Sequence, residues 1–210
     1  MNPMLSRRRI LIATSSIVPL AGCSVLPDPP AARIYRLRPP LANDPPNGRI
    51  IHKRLVVEIS TASESLDTDR IALIRNRTRF DYYENSIWTD RVPLLMQGLL
   101  VEAFENDGTI AEIANDSGTL TPDYVLVTEI RDFEASYVSP GDQPPAVIVA
   151  STFSLVRMPE RHMVDRMLVT ETSSASQNSL DSIVEAFDVA VGKILVRSVA
   201  WTTRTIGRAP

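Results

Sequence analysis

Apolar and polar positions change period several times along this chain, and each change predicts an element. Leu55-Val56-Val57-Glu58-Ile59 is rich in β-branched residues and predicts a central strand. Ahead of it, Ile34-Tyr35-Arg36-Leu37-Arg38 alternates apolar and basic residues. That pattern predicts a first strand at a sheet edge, ended by Pro39 and Pro40. Residues 39–49 hold four prolines with Asn43, Asp44, Asn47 and Gly48 and read as a loop, as do residues 60–69, which have no apolar period. Ile71 to Arg75 and Thr78 to Tyr83 predict a hairpin turning at Asn76-Arg77.

A helix is expected from near Thr89, which can cap it, with Asp90 at the positive end and Pro93 in the first turn. Val92, Leu95, Met96, Leu99, Ala103 and Phe104 recur at three and four residues, one apolar face, and Asn106-Asp107-Gly108 stops the run. Thr109 to Ala114 predicts a short strand. From Tyr124 to Tyr137 the alternation is long enough to require a bend. Val125, Val127 and Phe133 are expected on one side and Tyr124, Leu126 and Ile130 on the other.

Ser139-Pro140-Gly141-Asp142 begins a turn, and strands from Ala146 to Arg157 and Met163 to Thr172 complete an antiparallel meander. Ser179, with Asp181 behind it, caps a second helix marked by Ile183, Phe187, Ala190, Val191, Ile194 and Leu195. That helix is expected to run to about Trp201, with a frayed polar end. There are no internal repeats and no coiled-coil heptads. The order of elements predicts a single α+β domain over residues 33–206, a two-layer, mostly antiparallel sheet with two amphipathic helices packed on one face.

The first 22 residues carry a different pattern. Arg7, Arg8 and Arg9 precede an apolar segment from Ile10 to Ile17, broken by Pro19 and followed by Leu20-Ala21-Gly22-Cys23. A charged start, a short apolar run and small residues form a secretory signal peptide, too short to cross a hydrocarbon core that needs about 20 apolar residues. Leu20-Ala21-Gly22-Cys23 resembles the lipobox of bacterial lipoproteins. The resemblance implies cleavage before Cys23, a diacylglycerol on its thiol and usually a third acyl chain on the new amino group. Two or three chains make release from a membrane negligible. Ser6 to Leu11 also resembles a twin-arginine signal, and the choice between that route and Sec is left open. Residues 23–32 are Pro-rich, a semi-rigid tether of about 3 Å per residue that would hold the domain some 25–30 Å from its lipid.

Charge and composition narrow the chemistry. The whole chain has a formal charge of −3. Residues 1–22 hold three arginines and no acids, so the mature form carries 19 basic against 25 acidic residues, or −6. That balance argues against nucleic acid and against broad adhesion to anionic lipid. Cys23 is the only cysteine, so no disulfide forms. The two histidines, His52 and His162, lie in polar stretches, and no zinc, iron or other cofactor is expected.

No nucleophile elbow, phosphate loop, dinucleotide fingerprint or zincin motif occurs. Asp90, Glu102, Glu129 and Asp132 occupy polar-face positions and read as solvated charge. Trp88 is expected to staple the start of the first helix. Phe80, Tyr82 and Tyr83 are divided between strand packing and an exposed stripe. The residues describe a binding or tethering part and not an enzyme.

Several short motifs carry a family resemblance. Tyr35-Arg36-Leu37 follows soon after Cys23, and then comes the strand of Leu55 to Ile59. Leu66-Asp67-Thr68-Asp69-Arg70-Ile71 is followed by Phe80 to Tyr83 and by Trp88 before the helix. Asp123-Tyr124-Val125-Leu126 and Phe133-Glu134 lie on the long strand. Together these resemble the ABC-type transport auxiliary lipoproteins that accompany MCE-domain lipid transporters, including the paraquat-inducible type. The resemblance implies a periplasmic lipoprotein subunit that docks an MCE-domain protein and holds that conduit at the outer membrane. Ser24 after the lipidated cysteine, where an Asp is absent, is compatible with that membrane. Self-association is left open. Two other readings stand beside it: a pilotin-like lipoprotein of another envelope assembly or secretion complex, and a lipid-anchored hydrolase.

Overall fold

The computed structural model describes residues 31–39, 50–115, 118, 121–138 and 143–208. The signal segment, Leu20, Ala21, Gly22 and Cys23, the tether up to Pro30, the 40–49 loop and the turn at 139–142 lie outside the described residues. Residues Ala31–Pro210 form one compact unit. Its elements are β1 (Arg33–Tyr35), β2 (Ile51–Val57), β3 (Arg70–Arg75), β4 (Arg79–Trp88), α1 (Val92–Asp107), β5 (Ile110–Ala114), β6 (Tyr124–Tyr137), β7 (Ala146–Arg157), β8 (His162–Ser174) and α2 (Leu180–Arg208).

The fold is α+β, an eight-stranded mixed sheet with two helices. Its long ladders are antiparallel: β6 with β7, β7 with β8, and the β3–β4 hairpin. Four shorter pairings are parallel, and these were not foreseen: β1 with β4, β2 with β5, and both β2 and β3 with β6. The reason lies in β6. One of its edges is taken along almost its whole length by β7. The other edge takes β2 beside Tyr124–Leu126 and β3 beside Glu134–Tyr137. Between them Glu58 donates to the Leu126 carbonyl and Thr61 to that of Thr128, and Ile130 donates back to Thr61. β2 and β3 therefore behave as one interrupted strand, and residues 62–69 are the excursion that interrupts it.

A register shift between Ile130 and Asp132 changes which side chains of β6 face the helices. Before it, Tyr124, Leu126 and Ile130 are core; after it, Phe133, Ala135 and Tyr137 are. Phe133 therefore shares a face with Leu126, contrary to the expectation from strict alternation. An inserted residue flips parity and supplies the bend that so long a strand needs.

The hairpin turns where expected, with Asn76 at φ 50° and Arg77 at φ 64°. Left-handed values at both central residues match the twist of the flanking strands. β1 is an edge strand, though only three residues long, and β2 is central but starts earlier and ends at Val57.

The two helices start by different physics. Ser179 caps α2, its hydroxyl accepting from Ser182 N at 3.4 Å, with Asp181 in the first turn. At α1, Thr89 does not cap. Its N–H donates to the Tyr35 carbonyl, so it belongs to the β1–β4 edge, and Arg91 takes the cap position without a side-chain bond. The first helical N–H, of Val92, is met by the remote carbonyl of Thr68. Gly108 ends α1 in the left-handed conformation, as expected.

α2 does not fray at Trp201. Trp201 Nε1 donates to Asp165, Thr205 bonds back to the Trp201 carbonyl, and Ile206 is buried, so packing carries the helix to Arg208. Trp88 also differs from expectation. It ends β4, is 1% exposed, and packs edge-on against Phe133 at 6.0 Å and Phe187 at 5.1 Å. It joins the sheet to α2 instead of stapling α1. Burying such a ring stabilises by about 1.5–3 kcal/mol, with about 1 more from edge-to-face geometry.

Candidate functional site

The motif residues read from the sequence come together as structural joints. Leu66 is buried under the 62–69 excursion, Asp67 pairs with Arg91 at the start of α1, and Asp69 accepts from Trp88 N at 2.7 Å. This loop thus fixes the corner where β4 becomes α1. Arg70 lies over the Tyr82 ring at 3.7 Å, and the Tyr82 hydroxyl donates to the Ser65 carbonyl. At the other end of β6, Asp123 accepts from Arg54 N at 2.9 Å and Arg54 Nε at 3.3 Å, with Lys53 Nζ at 3.9 Å. Burial pushes the Asp123 carboxyl up, but the Arg54 hydrogen bonds and the Lys53 charge outweigh it and hold the group below its usual range.

Glu134 is the one carboxylate of the motif that burial dominates. It is 6% exposed, and desolvation raises its pKa from 4.5 to about 7. The Phe133 N–H, donating at 2.7 Å, opposes that rise, and the Asp132 charge adds to it. Tyr83 and Tyr137 share a hydrogen bond at 2.9 Å, and the Tyr137 hydroxyl donates to Asn178. Burial and then the Tyr137 partner push the Tyr83 phenol well above its ordinary value.

Gln97 was missed by the sequence reading. It sits on the buried side of α1, and its amide donates to the carbonyls of Val57 and Asn115 at 2.9 Å each. Gln97, three residues before Leu100 and seven before Phe104 in a run whose other polar residue is Glu102, was the available signal.

The concave surfaces describe what the unit can do. A groove of about 740 Å³ along β5 is lined by His52, Glu105 and Glu112 with Ile50 and Ile110. Among the described residues no serine, threonine, cysteine or tyrosine lines it, His52 forms no ion pair within 4.0 Å, and no nucleophile is paired with an oriented base there. A second groove, about 580 Å³, runs between Thr61–Ser63 and β6–β7, where Glu129 is held by Arg131 and Arg166. A third, about 530 Å³, lies between residues 36–39 and α1, with Arg36 and Arg38 on one wall and Asp90 and Glu102 on the other. A fourth, about 380 Å³, exposes Val189 and Val196 of α2.

His52 and His162 are both exposed, as are Asp90, Glu102 and Glu129; Asp132 is half-buried. Among the described residues no group of three or more His, Cys, Asp or Glu could hold a metal ion. The positions at Leu20, Ala21, Gly22 and Cys23 are outside the described residues.

The model of a known family, the ABC-type transport auxiliary lipoprotein component, matches residues 35–200. The chain belongs to this family. A curated relative, the uncharacterized protein bll6063 of Bradyrhizobium diazoefficiens, is 26% identical over 180 residues. That alignment covers 84% of this chain and 47% of the relative, so the chain spans about half the length of the curated protein it matches. Among solved structures, protein XCC0632 of Xanthomonas campestris superposes with a TM-score of 0.76 at 24% identity, covering 83% of this chain and 96% of that one. A second, uncharacterized protein gives 0.64 at 14% identity, covering 82% and 99%. These likenesses establish the fold.

The motif carboxylates Asp67 and Asp123 are consumed by arginines, and the motif aromatic Trp88 lies in the core. No helix among the described residues is long and apolar enough to cross a membrane.

Proposed function

We propose that this auxiliary component is a lipid-anchored, non-catalytic periplasmic subunit of an MCE-type ABC transport system. Acylated Cys23 would hold it at the outer membrane. Residues 33–206, as a single domain, would dock the MCE-domain protein and keep the conduit's far end in place. The observation that carries this reading is the family match over residues 35–200, taken with Leu20-Ala21-Gly22-Cys23 ahead of it. The chemistry is consistent with it. Three acyl chains provide membrane residence, and a tethered domain raises the effective concentration of whatever it binds.

The test is a crosslinking pull-down from membranes comparing the wild type with Cys23→Ala. The expected result is recovery of an MCE-domain protein by both forms, with Cys23→Ala released from the outer-membrane fraction. Recovery of a secretin or barrel-assembly protein in its place would overturn the partner. A Cys23→Ala protein that stays membrane-bound would overturn the anchor.

A further inference from the structure

The β3–β4 turn carries a charge pattern that neither the core nor the grooves use. Arg75, Arg77 and Arg79 fall within five residues, all exposed, in a chain whose net charge is −3. Arg75 lies over the Tyr137 ring at 4.8 Å, and Arg79 reaches Asp81 at 3.5 Å while 71% exposed. Among the described residues Arg75 and Arg77 form no ion pair. Two apolar side chains stand in the same neighbourhood: Phe80, 37% exposed, follows Arg79, and Val138, 66% exposed, follows Tyr137, whose carbonyl accepts from Asn76 N. The support is ordered by the left-handed Asn76 and Arg77, by Thr78 N donating to the Arg75 carbonyl at 3.3 Å, and by Phe80 packing edge-on against Tyr82 at 5.4 Å.

Strand direction gives this end of the unit a place. β1 runs parallel to β4, with Arg33 opposite Ser86, so the N-terminal end of β1 faces along β4 toward the turn. Seven residues of β4 separate Ser86 from Arg79, roughly 20 Å. Ten residues separate Arg33 from Cys23, a reach of at most about 35 Å.

We propose that the turn Arg75–Arg79, with Phe80 and Val138, is a membrane-contact surface that engages anionic phospholipid headgroups. The proposal deepens the anchoring reading and rests on acylation of Cys23. Guanidinium groups pair with phosphate in a bidentate fashion, and an aromatic and an aliphatic side chain among them enter the headgroup layer. Among the described residues no carboxylate pairs with Arg77 or Arg75, so their guanidinium groups are open to that contact. A contact at this end would set the orientation of the domain on its acyl chains, which a single point of attachment does not. It differs from broad adhesion, which the acidic balance of the chain disfavours, because it uses only the one turn where three arginines fall within five residues.

The test uses the compact unit Ala31–Pro210, which holds all ten elements, so that no signal segment or acyl chain reaches the lipid. Flotation is measured with phosphatidylcholine vesicles with and without a minority of phosphatidylglycerol, at low and high salt. The expected result is salt-sensitive binding only where phosphatidylglycerol is present, since screening weakens exposed charge. Arg77→Gly, which leaves the favourable Asn-Gly turn, should weaken binding about fivefold, and neutralising all three arginines on the order of a hundredfold. Circular dichroism establishes that each variant is folded. Equal flotation with both lipids, or binding that survives loss of the three arginines, overturns the proposal. Arginine-dependent binding to polyglutamate without binding to vesicles overturns it in favour of an acidic protein partner. Labelling of Cys23 with palmitate in cells is read separately, so failure of the anchor and failure of the contact surface are distinguishable.

Discussion

Two regions on either side of β4 show opposite ways of using its residues. At one end Trp88 meets Phe133 and Phe187, three rings from β4, β6 and α2 with centroids 5.0–6.0 Å apart and no charge among them. At the other, Arg75 to Arg79 form an exposed turn with three charges. The joint holds together elements distant in sequence through ring packing, and it buries the Trp88 indole N–H without a partner among the described residues. The turn is built from adjacent residues, contributes little packing, and leaves its charges available. A change in the first should therefore appear in unfolding measurements and leave recognition intact while the unit remains folded. A change in the second should do the reverse.

The strongest way to break that contrast is Trp88→Ala. It opens a cavity between β6 and α2 and is expected to cost about 3–5 kcal/mol, read as a lower denaturation midpoint. Loss below about 1 kcal/mol would mean that the joint relaxes and is not what pins α2 to the sheet.

Glu134, next to Phe133 but on the opposite face of β6, sharpens the contrast by titration. Burial raises its pKa to about 7, so between pH 4.5 and 7 the folded state holds a proton that the unfolded chain has released. Stability is therefore expected to fall as pH rises through that window and to level off above it. Glu134→Gln should remove this slope and raise stability at pH 8 by about 2 kcal/mol, after allowance for solvent screening. Urea titrations of both forms at pH 5 and pH 8 measure it, and parallel pH profiles would refute the assignment.

The smallest effect belongs to the turn. Arg77→Gly removes a side chain from a left-handed position, and stability should change by no more than about 0.5 kcal/mol, toward greater stability if either way. A thermal melt that drops by several degrees would show that the turn takes part in packing after all.

Much of the fold was legible in local pattern. Strands from Tyr124 to Tyr137 and Ala146 to Arg157 follow alternation, Asn76-Arg77 marks its own turn, and Ser179 and Gly108 mark helix ends, because each signal acts within a few residues. The family motifs were legible as well, but their roles were not. Asp67 reads as an ordinary loop acid until Arg91 is beside it, and Trp88 reads as a staple until α2 arrives from a hundred residues further on.

The sequence by itself determined the kinds of element, the single cysteine behind a short apolar run, and the family to which the chain belongs. Only the tertiary structure decided that β2 and β3 share one edge of β6 in parallel, that an inserted residue returns Phe133 to the core face, and that packing carries α2 to Arg208. The physical reason is common to all three. Propensity and capping act between near neighbours, whereas strand pairing, parity after a bulge and the end of a packed helix depend on groups brought close only by folding.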